Sequence, residues 1–549
     1  MPKNPGRSSL SPAPESPAPE PEPVSTISRA PLLPALWLPA LWLGLGACAF
    51  VCLFILFATR TAAALSWDFT HPGDNAFPES CIILAVKWAA DGEPVYRSLE
   101  GLPVAPMLYG PLTYYIPGWM GRWAGDTSPE GLRFVARAWS LFCFVAAGLV
   151  LAEVAATLRR REGRPKGLLV PALAASLFWV FAPIPLLAAT TRPDAPYLLL
   201  ELLTIRFLMA FDERDGSSSR LAWGLVGLGA LILLTASIRQ IVLGPPATIC
   251  LWLLARGRWK TTLAFCVLVP AGGVALLMAG ERALGGHLIE NIIKAGVVEY
   301  RLSFMREHFE QILGFLLLLT VPATFWSVRA WSRGKNPPAF SIYPIAALPF
   351  AFLLAGKKGS AIGYYWETLA AAAPGAALAF ESATLDALAW WRQKKAESPP
   401  PAEAILLAMC VMLSAIGLGA LAGNNLLGMR RGFRLKPEHV EAEVQALQSV
   451  KEPVAALPLR WASLLAGSDF VSADLFQHDL VVTAGQITWE PVVRALQEKR
   501  YPALLVDEPV LREEKFALIY AALLANYALD PTVQGPFGPA GIWRPKQGL

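Results

Sequence analysis

The stretch LLPALWLPALWLGLGACAFVCLFILFA, residues 32 to 58, decides the fold class. It is long enough to span a bilayer. A cleaved signal peptide is the competing reading, because ACA at 47 to 49 mimics a cleavage site. The apolar run continues past that site and a long polar tail precedes it, which favours an uncleaved anchor. The tail, residues 1 to 30, contains SPAPESPAPEPEPV, a Pro/Ala/Glu tract that cannot bury a core and is expected to be a disordered cytoplasmic segment.

Outward from this first run the pattern repeats. Further apolar runs centre near residues 145, 177, 203, 229, 248, 271, 320, 348, 373 and 412, which makes about eleven full spans. Composition agrees: the 549 residues are 54% hydrophobic and only 16% charged, with mean hydropathy +0.44, where a soluble domain carries about 25% charged residues. The fold class is a polytopic α-helical membrane protein, with residues 31–429 as the multi-span domain. LYGPLTYYIPGWMGRW, 108 to 123, is short and interrupted by two prolines; it reads as a re-entrant or surface-lying element, with a twelfth span as the alternative.

The net charge of +5 is mild, and no basic stripe interleaved with aromatics is present, which excludes nucleic acid as a partner. Most of the seven cysteines lie inside apolar runs, and no C-x-x-C pair occurs, so neither a disulfide framework nor a zinc site is expected. His71, His287, His308, His439 and His478 are far apart and show no ligand spacing. No G-x-S-x-G, H-E-x-x-H or Walker lysine is present.

Lysine and arginine set the orientation. RRREGRPK (159–166), DERDGSSSR (212–220), RGRWK (256–260), VRAWSRGK (328–335) and WWRQKK (390–395) fall in alternate short loops, which are predicted to be cytoplasmic. The other face carries the large first loop at 59–132, the turns TTRPDAP and TASIRQ, the loop at 281 to 309, and GKKGSAIG. From about residue 430 hydropathy drops. VAALPL, DLVVTAG and YPALLVDE read as short strands, and WEPVVRALQEKR, 489 to 500, as an amphipathic helix. Residues 430–549 are therefore expected to form a small extracytoplasmic α/β domain.

Charge gathers on the outer face. Arg192 and Asp194 sit at the mouth of an apolar helix in TTRPDAPYLLLELL. Pro193 suits a first turn and Asp194 a helix N-terminus, so a capping pair and a functional pair are both open. Arg239 and Gln240 interrupt an apolar stretch with almost no loop around them, and Lys357, Lys358, Tyr364, Tyr365 and Glu367 cluster in GKKGSAIGYYWETL. Cations at such turns either snorkel to lipid headgroups or grip a shared anionic ligand, such as a lipid-linked phosphate. In the first loop, HPGDNAFPES (71–80) places Asp74 before PESCIILAVKWAADG, which reads as a membrane-lying helix opened by Pro78 and Glu79 and ended by Gly92. Asp74 is either a helix-entry acid or a working acid.

The order of these features resembles the GT-C superfamily of glycosyltransferases, and within it family 39-like enzymes, which include protein O-mannosyltransferases and the transferases that put aminoarabinose on lipid A. The resemblance covers roughly residues 30 to 425, and a trailing outer α/β domain is usual in bacterial relatives. Asp74 matches the family's first-loop acid, with Asn75 where a second acid often stands. Glu79 falls near an acid of the surface helix. LYGPLTYY, which contains Tyr109, resembles P-P-L-Y-Y with Gly110 in place of the first proline. RPD at 192 to 194 resembles the family's R-P-D turn, Arg239-Gln240 a K-Q or K-P pair, and KKGSAIGYYWE a K-G-x-x-x-Y-x-x-E-like segment.

The resemblance implies an integral membrane enzyme of the bacterial inner membrane that moves a hexosyl- or pentosyl-type sugar from a polyprenyl-phosphate donor to a glycan, lipid or protein acceptor on the outer face. Asp74 would be the general base and Asp194 the second cavity acid. Glu79, Tyr109, Arg192, Arg239, Gln240, Lys357, Lys358, Tyr364 and Glu367 would bind substrate. No cofactor is implied with certainty, and a divalent metal stays open. The competing classes are a lipid-linked sugar flippase or transporter and a non-catalytic envelope assembly component; no internal repeat supports the transporter.

Overall fold

The computed structural model describes residues 33–70, 79–181, 190–212, 218–333, 338–358, 362–392, 402–416, 437–533 and 540–547. The tail 1–30 and Asp74 lie outside the described residues.

The apolar runs are helical. They form α1 (Leu33–Thr70), then, after two short helices α2 (Glu79–Asp91) and α3 (Leu112–Ala124), a long series. The series comprises α4 (Pro129–Arg161), α5 (Leu169–Phe181), α6 (Asp194–Asp212), α7 (Ser218–Ala236), α8 (Gly244–Ala255) and α9 (Trp259–Ala283). It continues through α10 (Leu302–Phe315), α11 (Val321–Arg333), α12 (Ala339–Ala355), α13 (Trp366–Arg392) and α14 (Ala402–Ile416). A π-helical turn, Leu316–Thr320, joins α10 to α11. Among the described residues, 4 helical stretches are long and apolar enough to cross a membrane by themselves: Gly44–Ala62, Pro129–Arg161, Trp259–Ala283 and Leu302–Ser332. The outward side of α9 is apolar and uncovered, with Leu263, Val267, Leu268 and Val274 all more than half exposed, as expected of a lipid-facing helix.

At the ends predicted to be cytoplasmic, the loop arginines are consumed by internal ion pairs. Asp212 accepts from Arg161 at 3.1 Å, from Trp252 Nε1 at 3.0 Å and from Arg256, fastening α4, α6 and α8. Glu381 of α13 takes Arg159 at 2.8 Å and Arg164 at 2.6 Å.

One element of the helical domain departs from the sequence expectation. α2 does not lie on a membrane surface. All but Lys87 and Asp91 of its residues are buried, because it is wedged between α3, α4 and the C-terminal domain. The Cys81 thiol donates to the Ala473 carbonyl across that last contact, at 2.6 Å. The predicted end at Gly92 is correct: Gly92 has φ 82° and Glu93 N–H returns to Trp88 O at 2.8 Å. α3, 13 residues, spans about 20 Å at 1.5 Å per residue, shorter than the roughly 30 Å hydrocarbon core, in keeping with the re-entrant or surface-lying reading. Its outer edge presents Trp119 and Trp123, 54% and 92% exposed, side chains suited to a membrane–water boundary.

The C-terminal domain begins with α15 (Pro437–Ser449) and builds a sheet from β1 (Val454–Leu457), β2 (Asp469–Phe470), β3 (Ala503–Asp507), β4 (Tyr527–Leu529) and β5 (Ala540–Pro545). The strand order is β2-β1-β3-β5-β4; β1 runs parallel to β2 and β3, and β5 antiparallel to β3 and β4. Between the strands lie α16 (Trp461–Leu465), α17 (Leu475–Thr483), α18 (Glu490–Gln497), α19 (Glu508–Leu511) and α20 (Ala517–Asn526). VAAL and ALLVD are strands and EPVVRALQ is a helix, as the sequence suggests. DLVVTAG is not a strand but part of α17. Asp474 caps that helix by accepting from Phe476 and Gln477 N–H at 2.9 and 3.2 Å, and Gly485 at φ 70° follows its end. The cap and the glycine override the strand preference of the Val-Val pair.

Candidate active site

The helix ends opposite the ion-paired arginines converge on one cavity of 230 Å³. Its polar wall is Tyr109, Arg192, Asp194, Arg239, Gln240, Lys357, Lys358 and Tyr364. Ile292 to Val298 of the outer loop supply an apolar wall, and Leu480 of α17 closes one side.

Asp194 is the hub. It opens α6, with Tyr197 N–H bonding back to the Pro193 carbonyl at 3.0 Å. Its Oδ2 accepts from Arg192 Nε at 2.9 Å and its Oδ1 from Arg239 Nη1 at 3.0 Å, with the carboxylate 3% exposed. Burial alone would lower both guanidinium pKa values. The Asp194 carboxylate beside both outweighs it, so both are raised and stay cationic. Burial pushes the Tyr109 phenol up, so it enters the cavity as a neutral hydroxyl.

Each cation is held by a scaffold that the sequence explains. The backbone before Arg192 is pinned by Glu79, whose Oε1 accepts from Thr191 N–H at 2.9 Å and from Arg137 Nε at 3.2 Å. Arg137 Nη2 bonds the other oxygen, and the pair is 2% and 1% exposed. Glu79 therefore does not line the cavity. It is a buried support, which corrects its expected place in the substrate site: the charge faces α4 rather than solvent because α2 is buried on all sides. Its partner Arg137, inside an apolar helix, carries no motif signal.

Arg239 stands in the turn between α7 and α8, and the YGPLT segment grips that turn. Gly110 N–H donates to Ile238 O and Leu112 N–H to Ser237 O, both at 2.9 Å, and the Thr113 hydroxyl donates to Ile238 O at 2.8 Å. Gly110 is required here: a Cβ would overlap the Ser237 carbonyl. Gln240 is at the cavity wall, but its amide donates to the Leu108 carbonyl, so it ties the same two segments together. The Arg239 guanidinium lies 4.5 Å from the Tyr364 ring centroid and 5.5 Å from that of Tyr197, which orients its remaining N–H groups.

Lys357 and Lys358 follow α12 and are set by pairing with the outer loop. Lys358 N–H donates to Glu299 O at 2.7 Å and Arg301 N–H to Gly356 O at 2.8 Å, while Tyr300 and Lys357 form an antiparallel bridge. The Lys358 ammonium also reaches Asp479 at 3.7 Å, which links the membrane domain to α17. Glu367 sits behind this wall, in a smaller cavity that shares Asp194, Arg239 and Tyr364 with the main one. The cavity thus sets four cations against one carboxylate, an arrangement made for an anion. A larger apolar cavity of 550 Å³ between α1, α5, α13 and α14 carries no ionisable side chain.

Sequence reasoning missed Arg137, the wall from 292 to 298, and the contribution of α17. It also missed Glu201, although LLLELL marks it as an acid in an apolar helix. Among the described residues no cluster of three or more His, Cys, Asp or Glu is placed to hold a metal.

No family model and no curated protein sequence matches the chain. Solved structures do. The chain is similar to ArnT from Cupriavidus metallidurans in the apo state, with 13% identity over 90% of this chain and 98% of that one, at TM-score 0.52. The same protein bound to undecaprenyl phosphate gives 13% identity, 89% and 97% coverage and TM-score 0.53. The archaeal oligosaccharyltransferase AglB from Archaeoglobus fulgidus, in complex with an inhibitory peptide and a dolichol-phosphate, gives 12% identity, 88% and 74% coverage and TM-score 0.50. The chain folds as these structures do.

Proposed function

We propose that this protein is an integral membrane glycosyltransferase that takes a sugar from a polyprenyl-phosphate donor and transfers it to an acceptor on the extracytoplasmic face. One observation carries the reading. Arg192, Arg239, Lys357 and Lys358 line a single cavity at the helix ends opposite the ion-paired arginines, in a fold shared with one solved structure bound to undecaprenyl phosphate and another in complex with a dolichol-phosphate. A flippase needs a site open in turn to both sides, whereas this cavity lies at one end of the helices.

The donor phosphate sits against Arg239 and Arg192, whose guanidiniums accept the charge that develops as the C1–O bond to phosphate breaks. An acceptor hydroxyl attacks C1 from the opposite side, its proton passes to the Asp74 carboxylate, and polyprenyl phosphate leaves, with inversion at C1. Asp194 is an orienting residue here. Its two oxygens accept from two arginines, so it is a poor base and a good alignment post.

The test is turnover by the purified full chain with a panel of undecaprenyl-phosphate sugars and candidate glycan, lipid and peptide acceptors, reading release of undecaprenyl phosphate with and without chelator. Sugar-dependent release is expected, and Asp74→Asn should abolish it. Full turnover by Asp74→Asn removes Asp74 from the mechanism, and no release with any donor removes the proposal.

A further inference from the structure

Cys250 of α8 and Cys266 of α9 bring their sulfurs to 3.4 Å across the line where the two helices meet. The pair is open to the lipid side of the bundle: Cys266 is exposed and Cys250 partly buried, and Leu263 and Val267 of the same helix are uncovered. Ala255 and Trp259 are the helix ends that meet at the predicted cytoplasmic side. Counted from them at 1.5 Å per residue, the thiols lie about 8 and 10 Å in, nearly level with each other. A thiol in an apolar run is ordinarily a small hydrophobe. Two thiols in contact can do more. A disulfide needs about 2.05 Å between its sulfurs, so these have about 1.4 Å left to close.

α9 has much to gain from such a bond. Its buried residues are Thr262 and Phe265, and it packs mainly on α7 and α8. Apolar contact between helices in a bilayer brings no hydrophobic gain over contact with lipid, so α9 is weakly held. Its outer end bears on the cavity. Glu281 accepts from Ile289 N–H at 2.8 Å, which ties α9 to the loop whose Ile292 to Val298 form the apolar wall. α8, by contrast, is anchored, with Trp252 and Arg256 both on Asp212. A bond between Cys250 and Cys266 therefore joins a weakly held helix to a fixed one.

We propose that Cys250 and Cys266 are an oxidative modification site: a lipid hydroperoxide in the surrounding bilayer joins them as a disulfide, which fastens α9, and through it the apolar wall of the cavity, to α8. Cys266, the exposed thiol, reacts first. Its sulfur attacks the outer oxygen of the hydroperoxide, the O–O bond breaks, the lipid leaves as an alcohol carrying the thiol proton, and Cys266 becomes a sulfenic acid. The Cys250 sulfur then forms the S–S bond and displaces the hydroxyl, which leaves as water with the second thiol proton. Two thiols are oxidised by two electrons and one hydroperoxide is reduced. The site does not depend on the donor reading above, and neither thiol lines the cavity.

The experiment uses the full chain in phosphatidylcholine nanodiscs, with and without phosphatidylcholine hydroperoxide, and has two readouts. Peptide mapping by mass spectrometry of the unmodified protein should find the Cys250 and Cys266 peptides joined after hydroperoxide and separated again by dithiothreitol. In Cys250→Ser, dimedone should trap a sulfenic acid on Cys266. Hydrogen exchange over residues 292–298 should be at least about threefold slower in the joined protein than after dithiothreitol, and unaffected by hydroperoxide in Cys250→Ser. Both cysteines left as thiols, or Cys266 oxidised to an acid while Cys250 stays a thiol in the unmodified protein, overturns the modification site. A joined pair with equal exchange over 292–298 overturns the fastening of the wall. The mapping and the exchange comparison are both made on the unmodified protein, so they decide the proposal even where Cys250→Ser does not fold.

Discussion

Asp194→Asn probes the hub of the cavity with the smallest change in shape. Asp194 accepts at 2.9 Å from Arg192 and at 3.0 Å from Arg239, and it is 3% exposed while the arginines are 11% and 14% exposed. Asparagine offers one oxygen and one NH₂, so one guanidinium faces a donor and both lose their counter-charge. Removing one partner of a buried ion pair costs about 3–5 kcal/mol. The arginine tips open into the cavity, which places this site near the lower end, about 3 kcal/mol. The assay is a double-mutant cycle with Arg239→Gln, read as unfolding free energy in mixed SDS micelles. The two losses overlap because both variants remove the same contact, with Asp194 keeping Arg192 in Arg239→Gln, so a coupling of about 1.5–3 kcal/mol is expected. Additivity within about 0.5 kcal/mol would mean that Asp194 and Arg239 do not share this contact, and the hub would be refuted.

Further outcomes follow from the same contacts. Gly110→Ala should push the Ser237 carbonyl and move Arg239 by a fraction of an ångström to an ångström, cutting turnover by up to about 10²-fold while the chain still folds; full turnover would show that the YGPLT grip is incidental. Glu79→Gln should destabilise the fold by about 3 kcal/mol, because it removes the counter-charge that faces Arg137 in a site 2% exposed, and a loss under about 1 kcal/mol would contradict the support role. Burial lowers His478 to about 3 and raises Asp474 to about 6. The histidine costs stability as pH falls below its unfolded value, since the unfolded chain takes the proton first. The aspartate gains stability as pH falls through about 6, since the folded chain takes its proton first. Between pH 7 and 5 these trends largely cancel, so hydrogen-exchange protection of α17 should be nearly flat there. Asp474→Asn should expose the histidine slope, a loss of about 2 kcal/mol at 1.36 kcal/mol per unit; an equally flat profile in the variant would refute the assignment.

Much of the site was legible because membrane chemistry leaves few explanations for polar groups at helix ends. Arg192, Asp194, Arg239 and the lysine pair stood out against apolar neighbours, and alternation of the arginine-rich loops placed them at one end. The turn between α7 and α8 was readable as a site, but its dependence on Gly110 was not, since that contact joins segments more than a hundred residues apart. The burial of α2 was hidden for a related reason. Its Ile82, Ile83 and Val86 face fits a membrane surface as well as a protein interior, and only docking of the C-terminal domain decides between them. DLVVTAG misled because β-branched residues outvoted a cap one turn upstream. Glu79 was recognised as unusual, yet its partner Arg137 sits in an unremarkable helix, so support and ligand contact looked alike. Asp74 rests on its place in the order of motifs, since it lies outside the described residues.

Binding of undecaprenyl phosphate to the purified full chain, compared with Arg239→Gln, tests the central claim most directly. Saturable binding is expected, weakened by about tenfold or more on losing a buried charge-assisted contact worth roughly 1.5–3 kcal/mol. Equal affinity in the two proteins, or no saturable binding in either, would contradict the assignment of this cavity to a lipid-linked phosphate.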